Sequence, residues 1–251
     1  VKDPRMEGVW TCDIKAAQAA ALKKGQKYKV YARSKDSRDL YLTPAWATRM
    51  VYTHDLRIMD PVVWPLEPAP ASPAPPPPQA GERIYECHLG LVAREGQPKS
   101  YAEAMEVLIP RAVRNGYSAL LLVGVQECKK YSQMGSQPVC YFAPTSELGE
   151  PEELQALVAR AHTAGLRVYM SIAHDGAAWS SDGLGDQYFR SGVEPAYPIT
   201  GARIFDYEHQ EVERYLLSSL AFWMAEYGFD GFHFPRVSAM IYTHRGRWLP
   251  E

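Results

Sequence analysis

His174-Asp175 and His233 are the residues of this chain whose types and placing suit proton-transfer chemistry. All three fall at the ends of short apolar runs that read as β-strands, 166–173 and 229–234, and parallel strands present such groups together at their ends. A histidine beside a carboxylate in that setting can act as general acid or base. The position just beyond the second run is Pro235, whose side chain has no heteroatom and offers no nucleophile. The seven histidines show no pair spaced four apart on a helix, so we expect no metal, and nothing in the pattern asks for a cofactor. Cys12, Cys87, Cys128 and Cys140 form no pair at metal-ligand spacing and read as reduced thiols; separation alone leaves a Cys128–Cys140 disulfide open.

The elements that must position these groups alternate. Residues 83–88 read as a strand, 101–115 as an amphipathic helix, and 119–125 as a covered parallel strand bounded by Gly116 and Glu127. Residues 152–163 form the next helix, with Leu154, Leu157, Val158 and Ala161 on one side and Gly165 as its stop. A strand at 166–173, a helix at 211–227 and a strand at 229–234 follow. Four strands joined by right-handed crossovers give an α/β fold, half of a (β/α)8 barrel over residues 83–251. Such a half has two unpaired edges and a wet inner face. Chain beyond Glu251, other protein subunits covering the open edge, or a repacked open layer would each answer that.

Residues 61–78 hold nine prolines and read as an extended spacer, bounded here as 65–82. Upstream, 8–10, 27–33 and 44–52 read as strands, with Tyr28, Val30 and Ala32 on a buried face, giving a small partial β-sandwich over residues 1–64. Trp10, Trp46 and Trp64 here, and Trp179 later, have flat apolar faces that can stack on a sugar; burial in a core is the competing fate.

With 251 residues, 46% of them hydrophobic and 22% charged, the chain is globular, long enough for one large domain or two smaller ones. A formal charge of -2 leaves no footprint for nucleic acid, and no run of about 18 apolar residues offers a membrane span. The chain starts at Val1 without a signal-peptide pattern, so any targeting segment is expected to have been removed or omitted. Its compartment, organelle or cytosol, stays open.

One stretch, Gly231-Phe232-His233-Phe234-Pro235-Arg236-Val237-Ser238-Ala239-Met240, resembles the fourth-strand signature of the glucan branching enzymes of the α-amylase superfamily, Gly-Phe-Arg-Phe-Asp-Gly-Val-Thr-Ser-Met. The resemblance extends in order through Ile84-Tyr85-Glu86-Cys87-His88, Asn115-Gly116-Tyr117, Phe142-Ala143-Pro144, Gly149-Glu150-Pro151-Glu152-Glu153-Leu154, Gly165-Leu166-Arg167-Val168 and Arg203-Ile204-Phe205-Asp206-Tyr207. It implies an α-amylase-type barrel preceded by a carbohydrate-binding module, and retaining glycosyl transfer through a nucleophilic carboxylate, an acid and a third carboxylate.

The departures fall on the chemistry. The resemblance puts the nucleophile at Pro235 and the preceding arginine at His233. The family's third strand, Asp-Val-Val-His-Ser-His, is here Ser171-Ile172-Ala173-His174-Asp175-Gly176, and its Ser-Phe-Gly-Tyr loop is Gln133-Met134-Gly135-Ser136. Ser136, Ser171, Gly176, His233 and Pro235 have thus lost the family's side chains, and the strands bearing the other two carboxylates are not in the sequence. Glu127, matching a family glutamate, with His174 and Asp175 is the residual polar cluster, expected to be structural. The resulting expectation is a catalytically inactive branching-enzyme-like protein, a structural or accessory subunit of a larger complex. A noncatalytic α-glucan-binding or regulatory partner, and the front half of an active branching enzyme, are the alternatives.

Overall fold

The computed structural model describes residues 14–33, 39–53, 58–71, 73–74, 77, 81–91, 100–128, 137–178, 184–191 and 201–241; Trp10, Cys12, Ser136 and Trp179 lie outside these. Ahead of the proline-rich segment come a single-turn helix, α1 (Ala16–Ala19), and two antiparallel hairpins. In one, β1 (Val30–Arg33) pairs with β2 (Asp39–Leu42); in the other, β3 (Met50–Thr53) pairs with β4 (Ile58–Pro61). Each is its own two-stranded sheet. The buried face expected on Tyr28, Val30 and Ala32 forms only in part, for Tyr28 and Ala32 are half-buried but Val30 is 45% exposed. Alternation records the pleat of a strand, but burying one side needs a second layer, which a two-stranded ribbon does not supply by itself.

The strand expected over 44–52 is confined to its end, because Ala47 N–H bonds back to Pro44 O and turns the chain before Met50. Pro61 closes β4, where it needs only its carbonyl, which accepts from Tyr28 N–H. The spacer is also anchored at its start. Leu66 packs on the main core, and Gln155 Nε2 donates to Glu67 O at 2.9 Å. Just upstream, Trp64 Nε1 donates to the Glu152 carboxylate, which Lys24 also reaches at 3.1 Å.

The rest is a parallel sheet with strand order β5-β6-β7-β8: β5 (Ile84–His88), β6 (Ala119–Val123), β7 (Arg167–Ser171) and β8 (Gly231–His233). The crossovers are α2 (Tyr101–Arg114), α3 (Pro151–Thr163) and α4 (Gln210–Tyr227), each within a residue or two of its expected bounds. Ser100 and Glu103 form a reciprocal capping box on α2, and Glu150 with Glu153 does the same for α3. Helix α4 ends on Gly228 at φ 75, a left-handed stop that glycine adopts without strain. Leu120, Leu122, Val168 and Met170 on the helix side of the sheet are buried against Leu108, Leu154, Leu157 and Trp223. Beyond β8 a short helix, α5 (Val237–Ile241), begins.

Below β8, Asp230 ties the layers together. Its Oδ2 accepts from Val168 N–H at 2.7 Å and lies 3.0 Å from His162 Nε2, with both side chains under a tenth exposed. Removing the carboxylate leaves a buried amide and a buried imidazole to be satisfied anew. We expect Asp230→Ala to lower the unfolding free energy by about 3 kcal/mol in urea titrations.

Candidate functional site

The site is built where β7 and β8 end side by side. Ser171 is in register with His233, and Ile172 N–H donates to His233 O at 3.0 Å, so the loops that follow start as neighbours. Ser171 Oγ sits 3.3 Å from His233 Nδ1, and the His233 ring is exposed. Past Pro235 the backbone enters the left-handed region at Arg236, φ 58, a conformation that strains a residue with a Cβ. Its guanidinium then reaches back across the loops. Nε donates to Asp175 Oδ2 at 2.7 Å and Nη2 to Asp175 Oδ1 at 2.9 Å. Asp175, only 2% exposed in its side chain, is gripped by both oxygens in the two-pronged geometry that makes arginine–carboxylate pairs strong.

His174 belongs to a different neighbourhood. Its Nε2 is 3.2 Å from Ser219 Oγ on α4, and its carbonyl accepts from Tyr207 OH at 2.6 Å. Burial pushes the imidazole down to about 4, so at neutral pH the ring is uncharged. Adjacent in sequence, His174 and Asp175 therefore serve separate partners. The histidine–aspartate group that the sequence offers for proton transfer is not assembled.

Glu127 is likewise committed. Oε2 accepts from Ser146 N–H at 2.7 Å and Oε1 from Cys128 N–H at 3.2 Å, which staples the turn after β6 to the one-turn 3-10 helix at Ser146–Leu148. Burial pushes its carboxyl up to about 7, against the opposing pull of the Ser146 hydrogen bonds, the Arg49 charge and the Cys128 amide.

Gly176 is closed in by backbone. A Cβ there would lie 2.4 Å from Arg203 O, and Ala177 and Arg203 exchange backbone hydrogen bonds. Tyr141 OH donates to Gly176 O at 2.7 Å. Around this point Tyr141, Phe142, Phe189 and Phe205 from loop segments pack with Tyr215 of α4 into a second aromatic core, whose loop half no repeat in the sequence announces. Trp46 is 45% exposed, with its ring edge-on to Tyr215 at 4.9 Å. Cys87, Cys128 and Cys140 are buried, and burial pushes the Cys87 and Cys140 thiols up to about 12. Among the described residues no three His, Cys, Asp or Glu side chains are placed to hold a metal ion.

What sequence reasoning missed is the second role of Arg236. It was visible as a replacement for glycine, and the resemblance also flags the backbone there as a glycine position. Nothing local pointed to Asp175 as its partner.

A parallel sheet with covered crossovers and a cluster at its strand ends is the α-amylase-like α/β fold. The chain superposes on the solved structure of a Salmonella typhimurium protein assigned as an α-amylase with a TM-score of 0.65 and 19% identity, over 84% of this chain and 35% of that one. Within that class the chain belongs to the family of the 1,4-α-glucan-branching enzymes. It is 35% identical to the branching enzyme of Aspergillus oryzae over 95% of this chain and 36% of that one. It is 35% identical to that of Equus caballus over 88% and 33%, and 40% identical to branching enzyme 2-2 of Arabidopsis thaliana over 65% and 21%. The chain spans about a third or less of the length of these relatives. No family model matches it.

Three outcomes follow from the geometry. Arg236→Ala strands a buried carboxylate and should cost about 3–5 kcal/mol, while Arg236→Gly, which also relieves the positive φ, should cost about 1 kcal/mol less; equal losses in denaturant titrations would refute the strain. Glu127 keeps its proton in the folded state up to about pH 7 but releases it near the usual 4.5 when unfolded. At this group the unfolded chain binds fewer protons in that window, so the Glu127 contribution to stability falls as pH rises from 4.5 towards 7 and then levels. The buried neutral His174 acts with the opposite sign up to about pH 6.5, so urea midpoints should rise more steeply with pH over 4.5–6.5 for Glu127→Gln than for the wild type. Gly176→Ala should destabilise by roughly 1–3 kcal/mol, since the atom it meets is backbone.

Proposed function

We propose that this chain is a catalytically inactive branching-enzyme relative that serves as a structural subunit of a larger protein assembly. The observation that carries the reading is the pair Pro235-Arg236. At the position where the resemblance puts the nucleophile there is no lone pair to form a glycosyl ester. The next residue takes both oxygens of Asp175, the carboxylate at the adjoining strand end, and holds them away from solvent. His174, uncharged and bound to Ser219, supplies no acid in its place. The helix and strand packing is kept all the while, which suits a chain whose task is to hold a shape. We read residues 83–251 as the first half of the barrel, whose open edge other subunits cover, residues 65–82 as the spacer, and residues 1–64 as what this chain has of a carbohydrate-binding module.

A noncatalytic glucan-binding partner is the second reading, favoured by aromatic rings that remain exposed in residues 1–64, Trp46 among them. An active branching enzyme of which this is the front half would need its nucleophile from elsewhere.

The test is a branching assay on amylose with the purified chain, read as new α-1,6 linkages by NMR, beside native mass spectrometry of the protein isolated from its source. No linkages and a stoichiometric assembly are expected, and Pro235→Asp alone should stay inactive because Arg236 still holds Asp175 and the Arg203 carbonyl still closes the space at Gly176. Turnover by the wild type would overturn the loss of catalysis; a free monomer would overturn the structural role.

A further inference from the structure

We propose that the proline-rich segment after Trp64 is a docking strand for a partner protein that presents an aromatic-lined groove for a polyproline II helix. This rests on the structural-subunit reading above and gives residues 65–82 a task besides spanning. A spacer keeps two units apart, but the elements on either side of this one are already in contact. Tyr215 OH on α4 donates to Ala45 O at 2.9 Å, Cys140 Sγ to Ala47 O at 3.0 Å, and Trp64 Nε1 to the Glu152 carboxylate on α3 at 3.1 Å.

Both ends of the segment are pinned to that one body. Upstream, Gln155 Nε2 on α3 donates to Glu67 O at 2.9 Å and to Glu226 O, near the end of α4, at 2.8 Å. Downstream, the Glu82 carboxylate accepts from Tyr169 OH at 2.8 Å beside Arg167, where β7 begins. Helix α4 ends where the chain turns back to start β8, so the two anchors lie at the same end of the sheet. The 14 residues between them, 68–81, include seven prolines. Residues 68–71, 73–74 and 77 are all exposed, and none of them is hydrogen-bonded to another described residue. With φ fixed and amide donors missing at every proline, such a chain joins no helix or ladder, favours the extended form and loses little freedom when a groove takes it up.

The sequence also sets the edge that is read. Polyproline II has three residues per turn, so Pro70 and Pro73 share one edge, preceded by Ala69 and Ser72, and the sequence repeats the step with Pro75-Pro76. A residue–proline pair recurring at each turn is the ridge that aromatic-lined grooves accept. Charge sets the rim of the groove. Residues 58–82 hold Asp60, Glu67 and Glu82 and no lysine or arginine. Lys27 pairs with Asp60 and Arg167 with Glu82, while Glu67 stands exposed at the start of the segment, where it complements a basic rim.

The test starts from the assembly isolated from the source, with Ala74→p-benzoylphenylalanine as a photo-cross-linker in the full chain. The cross-link should reach a partner peptide that bears tryptophan or tyrosine. Titration calorimetry of the full chain with that purified partner then compares the wild type with Pro70→Ala/Pro73→Ala and Glu67→Lys. The double variant should keep the wild-type urea midpoint, since the replaced rings are exposed, yet bind roughly tenfold more weakly or worse. Glu67→Lys should bind severalfold more weakly at low salt, with the difference shrinking as salt is added. Equal affinity of the double variant would sink the docking strand and leave the structural subunit standing. A wild type recovered as a free monomer would sink both. A cross-link to a second copy of this chain, to a partner peptide without aromatic residues, or to nothing would sink the groove, and an unchanged Glu67→Lys would sink its basic rim.

Discussion

A parallel strand cannot hand the chain directly to its neighbour; it needs a crossover that returns to the same end of the sheet, and the crossover must be covered. That requirement fixes this molecule. The apolar β6, Ala119-Leu120-Leu121-Leu122-Val123, is flanked by β5 and β7, and α2, α3 and α4 bury the helix side of the sheet. Because every strand runs the same way, the loops after β7 and β8 leave from the same edge, with Ser171 opposite His233. The side chains discussed above follow from that adjacency. Arg236 and Asp175 are 61 residues apart in the chain and within one hydrogen bond in space because two parallel strands end together.

The groups at the strand ends are engaged with one another: Arg236 with Asp175, the 203 carbonyl against Gly176, Ser219 with His174. A buried carboxylate without a partner would be costly, and a void in an aromatic core would forfeit packing. Behind the exposed His233 the region is interior, with Asp175 paired, the His174 imidazole kept neutral and aromatic rings packed around Tyr141 and Tyr215. Its buried polar groups contribute to stability.

Periodic segments were legible in the sequence. Residues 101–114, 151–163 and 210–227 show helical apolar spacing with capping or stop residues at their ends, and 119–123 is apolar on both faces, so their types and near-bounds follow from pattern alone. The hairpins were harder, because alternation at 28–33 cannot reveal whether a second layer lies behind it, and β4 begins among residues that read as the approach to a spacer. Pro235 could be read directly, since a missing heteroatom is a property of the residue. The clamp on Asp175, the commitment of His174 to Ser219 and the cover over Gly176 are long-range pairings between loops, and no local repeat encodes which loop meets which.

The contact between Gly176 and the Arg203 carbonyl also limits what position 176 can carry. The space that a side chain would need is taken by main chain, so a larger residue there requires the 201–207 segment, with Phe205 and its aromatic packing, to move with it. Position 176 is thus coupled to a whole loop rather than to one side chain, and changes at the two places have to be made together.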